Sequence, residues 1–396
     1  MNIKYSIVIP TRNRAEYVKY AIQSVLKSPR KDIELIVSNN FSSDLTKEVL
    51  SKITDSRLKV ISPDFALPMA GHYEFAISKA RGEWITILGD DDALMPYFFI
   101  SLDKYIKNFP NVDIISSARA YYFWKGCEDR YGEIVVNYNL KFNSQLRSTK
   151  KDLMSVIKGS RSCFDMPQIY TTCIIKRELF EEIKFNSGGN FYHSIIPDMY
   201  SVMALCLSRD KYLRIEEPLF WVGTSNKSIG RADLIYKDAK SFNANKKNNH
   251  INIPTEISND VSYILHSNKF HPMYMLECFL KTPLNKSSYN TKKTKAIVLA
   301  SVLNILKKRS KIQKKKLIKE LYRECKRYNI TYSELYFKAV ILFFENSFFI
   351  LKDRIVNILY QKNFMKSLKL KSNQRAKYPT ILEASNAVDA LINQKK

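Results

Sequence analysis

The sequence predicts an α/β fold over about residues 1–240, built on a mostly parallel, right-handed sheet, and a mainly α-helical region over residues 241–396. Three observations lead there. Short apolar runs rich in Ile and Val alternate with segments whose apolar residues recur at helical spacing. Polar loops follow those runs, so the loops collect at the C-terminal ends of parallel strands, the edge where such sheets bind ligands. Past about Ser241 the alternation stops, and Asn/Lys-rich stretches at Asn243–Asn249 and Thr282–Thr294 separate helical patterns.

Each element has its own signal. Ser6-Ile7-Val8-Ile9 reads as a strand ending at Pro10-Thr11-Arg12-Asn13-Arg14, and Tyr17, Val18, Ala21, Ile22, Val25 and Leu26 place a helix behind it. Ile33–Ser38 is a second strand and Asn39–Asp44 its polar loop, with Thr46, Val49, Leu50 and Ile53 marking the next helix. Strands at Leu58–Ile61 and Trp84–Leu88 flank a helix from about Gly71 to Ala80. A helix runs from beyond Met95 to Asn108, Val112–Ser116 is a strand, and Tyr121–Arg161 carries no regular pattern. Ile169–Ile175 is β-like, Arg177–Ile183 is helical, and Asp198–Leu207 is an apolar helix.

The chain's 396 residues, 45% of them hydrophobic, suffice for more than one core, so two domains are expected. Six scattered cysteines form no CxxC pair and have no histidine at zinc-ligand spacing, which reads as reduced thiols in a cytoplasmic protein. No charged-then-apolar leader precedes Tyr5, so secretion is not expected. The net charge of +26 is uneven: residues 241–396 hold 30 Lys and Arg against 10 Asp and Glu, and so carry +20 of it. Such a field favours phosphates on a nucleotide, an anionic lipid surface or a nucleic acid, without choosing among them.

The sharpest local feature is Leu88-Gly89-Asp90-Asp91-Asp92, three carboxylates directly after an apolar strand. Side by side they repel, and a hard divalent cation such as Mg²⁺ or Mn²⁺ resolves that repulsion. The plain alternative is a solvated turn or a helix N-cap before Ala93-Leu94-Met95.

Four motifs then stand in one order. Ile7-Val8-Ile9-Pro10-Thr11-Arg12-Asn13-Arg14 comes first and Val37-Ser38-Asn39-Asn40-Phe41-Ser42-Ser43-Asp44-Leu45-Thr46 second; Ala80-Arg81-Gly82-Glu83-Trp84 and the acidic triplet follow. Together they resemble the signature of family 2 glycosyltransferases, firmly over residues 3–120 and more weakly to about residue 230. The resemblance implies a GT-A fold with a nucleotide-sugar half over about residues 1–120 and an acceptor half over 121–240. It also implies a nucleoside diphosphate sugar as donor and a divalent metal, Mg²⁺ or Mn²⁺, held through Asp90, Asp91 and Asp92 against the donor's phosphates. The family's usual first Asp is Gly89 here, which shifts the expected ligand pair toward Asp90 and Asp92.

Donor contacts are expected from Pro10, Thr11, Arg14, Asn39, Asn40, His72, Arg81 and Asp90. Where the family commonly carries an acid against the base, this chain has Asn39, whose amide both donates and accepts. For Asp44 the helix cap is the favoured role, and Arg81 is equally a surface arginine at a helix end. Transfer with inversion, which the resemblance implies, needs a base at the acceptor hydroxyl, and Asp198 in Pro197-Asp198-Met199-Tyr200 takes that role. An N-cap is its alternative, and Asp165 and Glu182 are weaker base candidates. Gly188–His193 has the composition of a mobile loop over a sugar, and Gly223–Gly230, with Lys227, that of a segment closing on the diphosphate or of a polar linker.

Residues 291–330 hold 14 Lys and Arg against Glu320 and Glu324, while Leu317, Leu321, Cys325 and Tyr328 keep one apolar stripe. This basic amphipathic pattern suits an anionic membrane surface or a partner groove, and equally a solvated face packed on its other side. The longest apolar stretch, Ala339–Phe344, falls far short of the roughly 20 residues that a spanning helix needs. The acceptor is expected to be a saccharide or lipid-linked saccharide, reached by peripheral contact with the inner membrane face. Among competing classes, a nucleotidyltransferase should carry a glycine-rich first loop, and Pro10–Arg14 has no glycine. No recognisable nucleic-acid module accompanies the charge, so no nucleic-acid partner is expected. A non-catalytic scaffold built on a degenerate transferase domain stays open because of Gly89 and Asn39.

Overall fold

The computed structural model describes residues 2–127, 131–139, 144–194, 196–227, 271–284, 286–287, 289–306, 311–363, 367–372 and 377–393. The apolar runs become the centre of one sheet. Strand β1 (Tyr5–Thr11) pairs in parallel with β2 (Ile33–Asn39), β2 pairs in parallel with β3 (Leu58–Ile61), and on its other edge β1 pairs in parallel with β4 (Trp84–Ile87). Every residue of β1 and β2 is buried, as helices on both faces require of a parallel sheet. The first helix, α1 (Val18–Leu26), buries Val18, Ala21, Ile22 and Val25, and α2 (Thr46–Ser51) and α3 (Met69–Ile77) are the next two crossovers.

Beyond β4 the sheet turns mixed. A two-residue strand, β5 (Ala93–Leu94), follows the acidic triplet, and helix α4 (Phe98–Asn108) starts only later. The triplet therefore caps no helix. Strand β6 (Ile114–Phe123) leads into Tyr121–Arg161, which is more regular than its sequence: it holds β7 (Ile134–Asn139), β8 (Ser144–Ser148) and α5 (Thr149–Ile157). Strand β9 (Cys173–Lys176) inserts antiparallel between β4 and β6 and is followed by α6 (Arg177–Asn186) and α7 (Pro197–Ser208).

The 14-residue strand β10 (Lys211–Thr224) has no counterpart among the sequence expectations. Glu216-Glu217-Pro218 interrupts its alternation, and the register on β6 shifts there, because a proline without an N–H sits where the ladder is already broken. β10 lies parallel to β6 and antiparallel to β5 and β8, and carries the last residues of the sheet to the acidic turn.

The C-terminal helices are α8 (His271–Lys281), α9 (Thr291–Leu306), α10 (Lys311–Arg327), α11 (Tyr332–Asn363) and α12 (Ile381–Asn393). Met273, Leu276 and Phe279 of α8 and Val298 and Val302 of α9 share one apolar core with Met199 and Met203 of α7 and Ile85 of β4. A strand also occurs in this helical region: β11 (Ser367–Ser372) extends the sheet by pairing antiparallel with β7. Ile381, Ala384, Val388 and Ile392 of α12 pack with Tyr17, Trp124 and Trp221. The expected boundary near residue 240 and the Asn243–Asn249 stretch lie outside the described residues.

A shared core predicts shared unfolding. All three tryptophans, Trp84, Trp124 and Trp221, lie before residue 240. Leu276→Ala should nonetheless lower the stability they report by about 2–5 kcal/mol. Denaturant titration followed by tryptophan fluorescence checks this; an unchanged midpoint means two independent bodies.

Candidate active site

The C-terminal ends of β1, β2 and β4 lie side by side, with Thr11 in register with Asn39. Onto that edge the turn after β4 delivers the three carboxylates, and each meets a different set of donors. Asp90 accepts hydrogen bonds from Thr11 Oγ1 at 2.8 Å and from Arg14 Nε at 3.2 Å, an ion pair shielded on both sides. Arg14 also donates to the Lys227 carbonyl at 2.8 Å, tying the first loop to the segment after β10. Asp91 accepts from Ser225 Oγ at 2.7 Å, and its backbone carbonyl accepts from Trp124 Nε1 at 2.7 Å. Asp92 is buried, its Oδ1 accepting from the Gly223 N–H at 2.6 Å and its Oδ2 from Thr171 Oγ1.

Two glycines make this packing possible. A Cβ on Gly223 would lie 1.7 Å from the Asp91 carbonyl oxygen, and one on Gly89 would lie 2.2 Å from Asp92 Oδ2 and 2.6 Å from the Tyr170 hydroxyl. The family's usual Asp thus has no room at position 89. Thr171 carries a cost of its own: a β-branched residue at φ 48° stores about 1–3 kcal/mol of strain. Its hydroxyl accepts from the Gly89 N–H at 3.1 Å while donating to Asp92, so the strained residue joins both ends of the acidic turn.

Burial dominates the electrostatics. It pushes the Asp90 carboxyl up to about 6, with Asp91 adding to the rise and Arg14 opposing it. Burial, then Asp91, raises Asp92 well above the usual carboxylate range. At Arg14 burial disfavours the charge, but Asp90 and Asp91 outweigh it and hold the guanidinium protonated. The site is therefore a confined excess of negative charge that one arginine only partly offsets.

Asp198 stands at the start of α7, its Oδ1 accepting from the Met199 N–H at 2.9 Å. Asp198 and all three members of the triplet raise the Tyr73 phenol, after burial, so the ring lies within the field of both groups. Tyr73 stacks on Tyr170 at a centroid distance of 6.0 Å and meets Tyr192 edge-on. Burial keeps all three phenols neutral O–H groups. Ser225 belongs to the Gly223–Gly230 segment expected near the diphosphate, but sequence reasoning missed Tyr73, Tyr170, Thr171 and Trp124 as site residues, because nothing in their local pattern links them to position 91.

The other expected residues divide. Pro10 closes the buried strand beneath Thr11, and Asn39 Oδ1 accepts from the Ser42 N–H at 3.2 Å, shaping the second loop. Asn40 is committed to Leu67 through two amide hydrogen bonds, of 2.8 and 2.9 Å. His72 is buried against Ser38 Oγ at 2.9 Å, and burial lowers its pKa to about 4, leaving a neutral ring under the site. Asp44 accepts from the Thr46 and Ala15 N–H groups, the capping role.

Three expectations are corrected. Arg81 does not reach the donor edge: it precedes β4 at the opposite end of the sheet, where its guanidinium grips Glu34 near the start of β2. Gly188–His193 is no loose flap, since the Phe191 and Tyr192 N–H groups bind Glu74 Oε2 at 2.9 and 3.1 Å and Phe191 stacks on Phe180. Glu182 is held by two hydrogen bonds from Arg209, and Asp165 sits exposed on a 3-10 turn, so neither rivals Asp198 in position.

Among the described residues no group of three His, Cys, Asp or Glu side chains converges to hold a metal ion. Asp92 faces Thr171 and Gly223, so the pairing of Asp90 with Asp92 expected from the sequence is not what the geometry offers. Adjacent Asp90 and Asp91 fit the other mode, in which Mg²⁺ takes one or two carboxylates and completes its shell with substrate phosphates. Burial raises the Asp90 pKa, and a cation beside it would oppose that rise.

Residues 6–183 match the model of Glycosyl transferase family 2. This segment is a family 2 glycosyltransferase domain. The chain is similar to glycosyltransferase GlyG of Streptococcus pneumoniae serotype 4, 26% identical over 240 residues, which cover 58% of this chain and 73% of that protein. It is 36% identical over 95 residues to a Campylobacter jejuni GalNAc(5)-diNAcBac-PP-undecaprenol beta-1,3-glucosyltransferase, covering 23% of this chain and 31% of that protein. It is 34% identical over 87 residues to the Escherichia coli UDP-Glc:alpha-D-GlcNAc-diphosphoundecaprenol beta-1,3-glucosyltransferase WfgD, covering 22% and 34%. The matched segment thus spans about a third of the length of the last two relatives. Superposed on S. aureus TarS 1–349 in complex with UDP-GlcNAc, the chain gives a TM-score of 0.48 at 13% identity over 76% of this chain and 72% of that one.

Two predictions follow from the packing of the triplet. The folded state holds the Asp90 proton more tightly than the unfolded chain, so the metal-free protein gains stability at low pH and loses it as pH rises through about 6. Asp90→Asn should flatten that slope in melting curves taken across this range. Gly89→Asp, which restores the family's usual residue, should destabilise rather than repair the site, because its Cβ meets the Asp92 carboxylate. A melting temperature at or above wild type contradicts this.

Proposed function

We propose that this protein transfers a sugar from a nucleoside diphosphate sugar to an acceptor hydroxyl with inversion, in the assembly of a bacterial-type surface polysaccharide or glycan. The observation that carries the reading is the Thr11–Arg14–Asp90 cluster beside Asp91, at the edge of the parallel strands, in a chain whose first half matches a glycosyltransferase family. The C-terminal strand ends are where an α/β sheet binds a nucleotide. Asn39, in the second loop, takes the base on this reading, and Thr11 and Arg14 hold the phosphate end.

Asp90 and Asp91 would hold Mg²⁺ or Mn²⁺, which together with the donor's phosphates offsets the charge on the departing nucleoside diphosphate. Arg14, kept protonated by Asp90 and Asp91, adds a fixed positive charge beside the same oxygens. Asp198 takes the proton from the acceptor hydroxyl as its oxygen bonds to the anomeric carbon and the bond from that carbon to the phosphate oxygen breaks. Tyr73 and Tyr170 present stacked rings between the two groups of carboxylates, a surface that suits a sugar face.

The printed names of two relatives specify undecaprenol-linked acceptors, which supports a lipid-linked saccharide as acceptor here. Among the described residues no helix is long and apolar enough to cross a membrane, and all six cysteines are buried. On this reading the enzyme works as a peripheral protein at the cytoplasmic face, where a lipid-linked acceptor would be met.

A thermal-shift screen of UDP, GDP, dTDP and CMP with and without Mn²⁺ tests the donor site. One nucleotide should stabilise the protein only with the metal, and Asp91→Asn should abolish the effect. Asp198→Asn should preserve that shift while lowering the transfer rate about 10²–10⁴-fold. If no nucleotide stabilises the wild type, the chain is a scaffold and not a transferase.

A further inference from the structure

The C-terminal helices leave one feature that the transfer reaction does not use. Helix α11 packs against the molecule through Leu335, Ala339 and Leu342, all buried, and through the half-buried Asn346. On the opposite side Phe337, Val340, Ile341, Phe344, Phe348 and Leu351 are exposed, with Phe337, Phe344 and Phe348 at 68%, 67% and 71%. At about 100° per residue these six span a stripe about 100° wide, the geometry of an amphipathic helix whose apolar face has no cover among the described residues. Elsewhere Phe65 and Phe185 are also exposed, at 66% and 85%.

A basic row borders this stripe. Lys315, Lys319 and Lys326 of α10 are exposed and share a helix face with Tyr322. Tyr322 in turn meets α11: its hydroxyl lies 2.6 Å from that of Tyr336, and its ring packs 4.4 Å from that of Tyr332. The flanking acids of α11 are matched by cations, Glu345 by Lys158 at 2.9 Å and Glu334 by Lys338 at 4.0 Å. The amphipathic stripe of α10 itself is not the exposed one, since Leu317, Leu321 and Cys325 are buried.

We propose that the aromatic face of α11, with the lysine row of α10 beside it, docks on an anionic lipid bilayer. Phenylalanine and leucine side chains enter the headgroup boundary while lysines meet lipid phosphates, so that the helix lies in the interface and does not span it. A second copy of this chain is the less favourable occupant. A two-fold interface on this face brings two lysine rows together in a region that already carries +20. The inference stands on the exposed face alone and is independent of the transfer reaction.

Flotation of the full chain with phosphatidylcholine vesicles, with and without phosphatidylglycerol, tests it. Wild type should float with the anionic vesicles and be released by salt. The triple variant Phe337→Ser, Phe344→Ser, Phe348→Ser should bind at least about tenfold more weakly while keeping its nucleotide-dependent thermal shift. Lys315→Glu, Lys319→Glu, Lys326→Glu should lose the preference for anionic lipid. Phe344→Trp should show fluorescence quenched by brominated lipid, a readout that does not depend on the triple variant folding. The proposal is overturned if wild type does not float, if the triple variant floats as wild type does, or if Phe344→Trp escapes quenching. A dimer in light scattering that the triple variant abolishes, with no flotation, assigns the face to a second copy instead.

Discussion

The site rests on the crossing of the acidic turn by the end of β10. Gly223 approaches so closely that its N–H reaches Asp92 and its Cα faces the Asp91 carbonyl, leaving no space for a side chain. Trp124 binds that same carbonyl and Ser225 the Asp91 carboxylate. Three successive carboxylates would otherwise repel one another and splay into solvent. Donors from the first loop, from Thr171, from Trp124 and from the end of β10 give each carboxylate or its backbone a fixed direction. Position thus compensates in part for charge, and burial still pushes the Asp90 and Asp92 carboxyls up.

That residual charge links architecture to chemistry. Asp90 faces Arg14 and Thr11 across the edge of parallel strands, Asp92 is turned into the protein, and Asp91 lies between them. A buried carboxylate pushed toward neutral pH is a liability for an empty fold and an asset for one that receives a cation and a diphosphate. The strained Thr171 and the absent side chain at Gly89 belong to the same arrangement. Both let the Asp92 carboxylate occupy the space that an aspartate at position 89 would need.

The C-terminal helices show how charge and packing separate on one chain. Helix α9 is buried almost all round, α10 buries its own apolar stripe, and α11 buries one side and exposes aromatic residues on the other. The basic amphipathic pattern of α10 left a contact surface and a solvated face packed on its other side both open, and the burial of Leu317, Leu321 and Cys325 fits the second. Which apolar stripe remains outside depends on which helices pack together, and the packing moves the exposed face to α11.

The order of strands and helices through β4, helix α4, the motif loops at the strand ends and the acidic triplet were legible in the sequence, whereas the short β5 was not. The physical reason is that they depend on local periodicity and on residues close together along the chain. The resemblance of four ordered motifs carried the family in the same way. What only the tertiary structure decided lies at long range. Strand β10 was hidden by Glu216-Glu217-Pro218, Arg81 turned out to serve the opposite end of the sheet, and Tyr170, Thr171 and Ser225 reach the triplet from far along the chain. A pattern of neighbours can specify that a strand forms and that acids follow it. Which donor meets which carboxylate depends on how segments 33 to 134 residues apart close on one another, and no local spacing encodes that.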